Sequence, residues 1–215
     1  MLRESLHKFR NRPPLTKKQS ICKFIALLTL FVVIGLDILT KVIVVENMSL
    51  GEEIPVLDGV LHWKYIHNPG AAFGMLSNSR AVFLVISVVA IIVLAVYIIF
   101  TRSDNLLWMA AVGMLIGGGI GNMIDRIALG FVIDFIYVAL IDFAVFNVAD
   151  CFVCIGVGLM LLLTLLDMIR EIKLEKQKKR DSAALADEDT SPSALDAAVE
   201  NPEITNRTED ENHDE

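Results

Sequence analysis

The sequence predicts an all-α membrane protein built on four transmembrane helices, and three observations carry that reading. The 215-residue chain is 54% hydrophobic with a mean hydropathy of +0.58, above an ordinary soluble domain. Its apolar residues fall in long blocks. Basic residues gather just outside the apolar region, seven of them in 1–23 and six in 170–180. Lys and Arg accumulate on the cytoplasmic side of a membrane, so both ends belong there and the number of crossings is even.

Residues 1–23 form a basic cytoplasmic extension. The first span, about 24–45, reads FIALLTLFVVIGLDILTKVIVV and is long enough to cross a hydrocarbon core of roughly 30 Å. Only Asp37 and Lys41 interrupt it. Its apolar stretch is too long for a cleavable signal peptide and no small-residue cleavage site follows, so a permanent anchor is expected. The second span, about 81–100, carries no charge, whereas the third, about 106–127, is diluted by glycine and ends in Asn122, Asp125 and Arg126. A fourth, about 148–169, completes a transmembrane domain over 24–170. The run Ile127–Phe146 is also long enough to cross, but Gly130, Asp134 and Asp142 break it. The even count leaves it in or on the outer interface, with outer loops at 46–80 and 128–147. Residues 171–215 read as a cytoplasmic tail, basic and then acidic. From Asp181 onward it holds twelve acidic residues and one basic one, the composition of a disordered segment.

This topology puts Asp134 and Asp150 at the same membrane face. A carboxylate at the edge of lipid is costly to keep ionised, and two at one depth point to proton-sharing acid/base chemistry. Asp150 also has a purely structural reading, because Asn147 stands three residues before it in a capping arrangement at a helix start. Asp134 lies among Phe131, Val132, Ile133, Phe135 and Ile136 and is expensive there without a partner. The two environments point to Asp150 as the ionised base and Asp134 as holder of the shared proton. Asp142 and Asp125 are second choices as catalysts, Asp125 adjoining Arg126 as a local partner. Asp37 and Lys41, one helical turn apart, fit an intramembrane ion pair that is either a structural lock or a substrate contact. Asn122 and Arg126 share that spacing and point toward the outer interface. Gly113, Gly117 and Gly121 let helices approach closely. HNPGAAFG, residues 67–74, is a turn signal.

Other chemistries are poorly served. Cys151 and Cys154 form a CxxC inside an apolar helix with no second pair, and read as small buried hydrophobes. His62 and His67 lack metalloprotease spacing, and HExxH and GxGD are both absent from the sequence. No metal, no cofactor and no nucleic acid is expected. An ion-coupled transporter is the main rival class, although its charged groups belong near the bilayer midplane and here they sit at span ends. A noncatalytic scaffold leaves Asp134 and Asp150 unexplained.

The ordered set DILTK, NPGAAFG, GNMIDR followed by GFVIDF, and FNVAD, over roughly Phe24 to Ile169, resembles the bacterial lipoprotein signal peptidase family, signal peptidase II. The resemblance implies a metal-free aspartyl endopeptidase of the bacterial inner membrane. Such an enzyme removes signal peptides from diacylglyceryl-modified prolipoproteins by cleaving on the N-terminal side of the lipidated cysteine. It implies that Asp134 and Asp150 are the catalytic dyad. Asn122, Arg126 and Asn147 would shape the site, while Asp37, Lys41 and Asn68 match further motif positions. It also implies a small extracytoplasmic β-rich or loop cap from 46–80. The expected partners are the prolipoprotein substrates and membrane lipids, and the chain is expected to act as a monomer.

Overall fold

The computed structural model describes residues 13–70 and 80–189. They form a mostly helical protein with a small antiparallel sheet. Helix α1 is Lys17–Asn47, α2 is Arg80–Phe100, α3 is Leu106–Ala128 and α4 is Val148–Asp189. Strand β1 is Glu53–Leu57, β2 is Leu61–Asn68 and β3 is Val132–Tyr137, followed by a 3-10 turn at Ala139–Ile141. The chain divides into two units, 1–164 and 165–215, and α4 enters both.

Local chemistry sets the helix starts. α1 begins at Lys17, earlier than the span expected from 24, because Thr16 and Gln19 form a capping box. The Thr16 hydroxyl accepts from Gln19 N and the Gln19 side chain accepts from Thr16 N, both at 3.2 Å. Asn105 caps α3 by accepting from Trp108 N at 3.1 Å. α4 runs on to Asp189, well past the expected end of the span at 169. No Gly or Pro interrupts 159–191, and Gln177 Nε2 donates to Asp181 Oδ1 one turn on, so the charged stretch stays helical. The disorder expected from Asp181 onward is not met at 181–189, which continue the helix, and the tail beyond Asp189 lies outside the described residues.

Among the described residues, three helices are long and apolar enough to cross a membrane: Lys17–Asn47, Leu106–Ala128 and the Val148–Ser182 part of α4. Leu84–Phe100 of α2 is a shorter apolar segment. α3 is the central element, and its glycines are the reason. A Cβ on Gly113 would strike the Ala26 carbonyl of α1, and one on Gly117 would lie 2.8 Å from the Leu30 carbonyl oxygen. At Gly121 it would lie 2.5 Å from Asp37 Oδ2, and at Gly118 it would lie 2.6 Å from the Ala149 carbonyl oxygen of α4. Small residues bring the backbones together, as the spacing of Gly113, Gly117 and Gly121 predicts.

The sheet has the order β1-β2-β3, with both pairs antiparallel. Gly59, at φ +67°, makes the turn between β1 and β2. Among the described residues, the expected cap at 46–80 supplies these two strands. β3 comes from 128–147, where the sequence predicts no strand; the β-branched and aromatic run VIDFIY pairs with β2, Asn68 opposite Val132 and Ile66 opposite Asp134. Tyr65, Ile133 and Phe135 pack with Val44 near the end of α1, seating the sheet on the helices.

Gly117→Ala is expected to destabilise the protein by about 1–3 kcal/mol, because the obstructing atom is a backbone carbonyl. Gly158→Ala, with nothing within 4 Å, serves as the matched control. Thermal unfolding of both variants in one detergent decides the point; equal midpoints would refute the close-packing role.

Candidate active site

A buried ion cluster underlies the site. Lys41, 3% exposed, lies 2.8 Å from Asp37 Oδ2 on its own helix and 2.8 Å from Asp125 Oδ2 on α3. The other oxygen of Asp37 accepts from Ala149 N at 3.0 Å, satisfying an orphan N–H in the first turn of α4. One lysine therefore ties α1 to α3, and its partner ties α1 to α4. Asp37 and Lys41 thus form the intramembrane ion pair that their spacing predicts. Asp125, expected to pair with its neighbour Arg126, lies 2.8 Å from Lys41 and also accepts from Ile133 N at 3.1 Å, fixing the start of β3.

From this cluster the amide orientations follow. Lys41 can only donate, so Asn122 turns its oxygen toward it at 3.1 Å. The Asn122 Nδ2 then faces Asp150 Oδ1 at 2.8 Å. Asn147 caps α4: its Oδ1 accepts from Asp150 N at 3.0 Å, and Asp150 Oδ2 accepts from Asn147 N at 3.2 Å. This is the reciprocal cap read from the sequence. With its oxygen committed, Asn147 directs Nδ2 to Asp134 Oδ1 at 2.7 Å and to Asn122 Oδ1 at 2.9 Å. A single residue thus donates to both aspartates, through its backbone to Asp150 and through its side chain to Asp134.

Asp134 receives its second donor from the sheet. Asn68, at the end of β2, gives Nδ2 to Asp134 Oδ2 at 2.8 Å while its own oxygen accepts from Gly70 N at 3.0 Å. The Asn-Pro-Gly turn is thereby a positioning device; residues 71–74 of that motif lie outside the described residues. Burial pushes the Asp134 carboxyl up to about 7, opposed by the Asn68 and Asn147 hydrogen bonds and reinforced by the nearby charge of Asp150. A carboxyl group raised in this way is suited to acid/base exchange near neutral pH.

Asp134 and Asp150 line one cavity of about 260 Å³, with Asn68, Asn122 and Arg126 also on its wall. Asn147, Asp37 and Lys41 are buried behind that wall. Arg126 Nη1 donates to the Asn122 carbonyl at 3.2 Å. Phe143, Ala144, Val145 and Phe146 complete the lining, a contribution the sequence does not signal, since these residues carry no polar group. Asp142 takes no part in the wall. It sits at a left-handed φ of 47° and accepts from Tyr137 Oη at 2.6 Å.

Comparison with known proteins matches the family described as Signal peptidase (SPase) II to residues 29–166. The lipoprotein signal peptidase of Halothermothrix orenii is 41% identical over 138 residues, 63% of this chain and 91% of the relative. That of Halalkalibacterium halodurans is 39% identical over 150 residues, 69% of this chain and 94% of the relative. Two solved structures described as a bacterial membrane enzyme studied by the in meso method, at 2.3 and 1.9 Å resolution, are each 34% identical. Their TM-scores are 0.62 and 0.60, covering 66% and 65% of this chain and 88% and 92% of theirs.

Two outcomes test the geometry. Lys41→Met leaves Asp37 and Asp125 buried without their cation and should cost about 3–5 kcal/mol in chemical unfolding. A loss within error of zero would remove the cluster from its role. Between pH 3.8, the ordinary value of an aspartate, and about 7, the folded chain holds a proton on Asp134 that the unfolded chain has released. Stability contributed by that proton is full below this window and falls as pH rises through it. Asp134→Asn should flatten this part of the stability profile, and identical slopes in the two proteins would contradict the assignment.

Proposed function

The chain belongs to the signal peptidase II family, and on that premise we propose that Asp134 and Asp150 are its catalytic dyad. As an aspartic peptidase it removes signal peptides from lipoprotein precursors. The observation that carries the dyad is the double donation by Asn147, which sets both carboxyl groups on one cavity wall.

The mechanism follows from the two environments. Asp150, less buried than Asp134 and at the positive end of the α4 dipole, is the base. It takes a proton from water as the water oxygen bonds to the scissile carbonyl carbon. Asp134 carries the shared proton and gives it to the departing amine nitrogen as the carbon–nitrogen bond breaks. A proton passing from Asp150 to Asp134 restores the starting state, so neither metal nor cofactor enters the cycle. Arg126, on the cavity wall, holds substrate carbonyls by charge-assisted hydrogen bonds.

The substrate is a diacylglyceryl-modified prolipoprotein, cut on the N-terminal side of its lipidated cysteine. The fold spans the bacterial inner membrane four times, α2 included, with both ends cytoplasmic and the cavity at the outer face. Three long apolar helices, the apolar Leu84–Phe100 and the basic flanks support this arrangement. The same reading has it act as a monomer.

Cleavage of a diacylglyceryl-modified prolipoprotein by purified protein is the test. Asp134→Asn and Asp150→Asn should each lower turnover by at least about 10²–10⁴-fold while retaining substrate binding. A chelator should leave the unsubstituted enzyme unchanged. Full activity in either variant would remove that residue from the dyad.

A further inference from the structure

A second cavity, about 330 Å³, opens on the other side of the sheet. Its volume falls at the lower end of the roughly 300–1,000 Å³ typical of ligand sites. Thr40, Ile43 and Asn47 of α1 form one wall, and Ile54, Trp63 and Phe135, one from each strand, form the other. Among the described residues it shares no lining residue with the catalytic cavity. The strand period explains the separation: Asp134 looks into one cavity and its neighbour Phe135 into the other.

Its chemistry selects hydrocarbon over peptide. The few polar side chains on the wall each turn a donor back onto their own helix. Thr40 Oγ1 donates to the Leu36 carbonyl at 2.8 Å, and Asn47 Nδ2 donates to the Ile43 carbonyl at 2.7 Å. A peptide strand entering here would find little to meet its N–H and C=O groups, whereas an alkyl chain needs nothing. The groove is also continuous with the lipid-facing surface of α1, where Leu36, Leu39 and Ile43 are exposed. Trp63, 37% exposed, stands at its edge, the position of aromatic residues at a membrane interface.

We propose that this groove holds an acyl chain of a bilayer phospholipid as a fixed part of the enzyme. The chain covers apolar surface of Ile54, Trp63 and Phe135 that would otherwise meet interfacial water, and so keeps the sheet seated on α1. Asn68 and Asp134 are carried by that sheet, so the lipid acts on the site through their placement. The substrate's own acyl chain is the less fitting occupant, because the groove opens on the sheet face away from Asp134.

Full-length protein in phosphatidylglycerol vesicles is irradiated with a phospholipid whose acyl chain bears a diazirine, and labelled peptides are mapped by mass spectrometry. Without substrate, label should concentrate on Ile43, Met48 and Ile54, severalfold above Phe31 on the exposed face of α1. Ile43→Trp and, independently, Ile54→Trp fill the groove and should return its labelling to the Phe31 level. Equal labelling of groove and Phe31 would show bulk lipid contact only and overturn the proposal. So would unchanged labelling in a folded filling variant, or label that reaches the groove only from a diazirine-bearing diacylglyceryl peptide. Prolipoprotein cleavage by the same unsubstituted sample is scored separately, so a failed peptidase assignment is not mistaken for a failed lipid site.

Discussion

A single buried ammonium governs this architecture. Lys41 has almost no access to solvent and must be compensated by protein, which it is by Asp37, Asp125 and the oxygen of Asn122. Those partners lie on α1 and α3, and Asp37 reaches on to the first turn of α4. The charge therefore fixes the mutual position of three helices at the level of the cavity. It also decides which way Asn122 faces, and through Asn122 what Asp150 meets.

The helices and the sheet divide the remaining task. Helices bring Asn122, Arg126 and Asp150, while strands bring Asn68 and Asp134. Asn147 stands at the join, in the short segment between β3 and α4, where side chain and backbone can serve different neighbours. The glycines of α3 make the join possible. Gly118 admits the carbonyl of Ala149 and Gly121 admits the carboxylate of Asp37, so the central helix comes near enough for short polar bonds.

Much of this was legible in the sequence wherever the signal is local. The cap formed by Asn147 and Asp150, the small-residue stripe on α3 and the pairing of Asp37 with Lys41 are all separations of three or four residues. Topology counting put Asp134 and Asp150 at one membrane face, and the family motifs implied their role as a dyad. The Lys41–Asp125 pair was not legible, because it depends on the packing of α1 against α3. Nor was the extra strand, because VIDFIY becomes a strand only by pairing with a segment far upstream. Thr16 and Gln19 did carry a local signal for the earlier start of α1, but the apolar run that marks a span begins only after them. The long extent of α4 follows helix propensity, which hydropathy does not measure.

The asparagines around the two aspartates each do two things. Asn147 caps a helix, Asn68 closes a turn and Asn122 compensates a buried lysine, and each also positions a carboxyl group. A compound that fills the cavity by bonding the Asn68 and Asn122 amides therefore leaves the chain few routes to resistance. Substitutions that discard the drug contact also discard a turn or a charge partner. Escape is confined to lining positions that carry no such bond, Val132, Ala144 and Val145 among them, and there a change in size is the available defence.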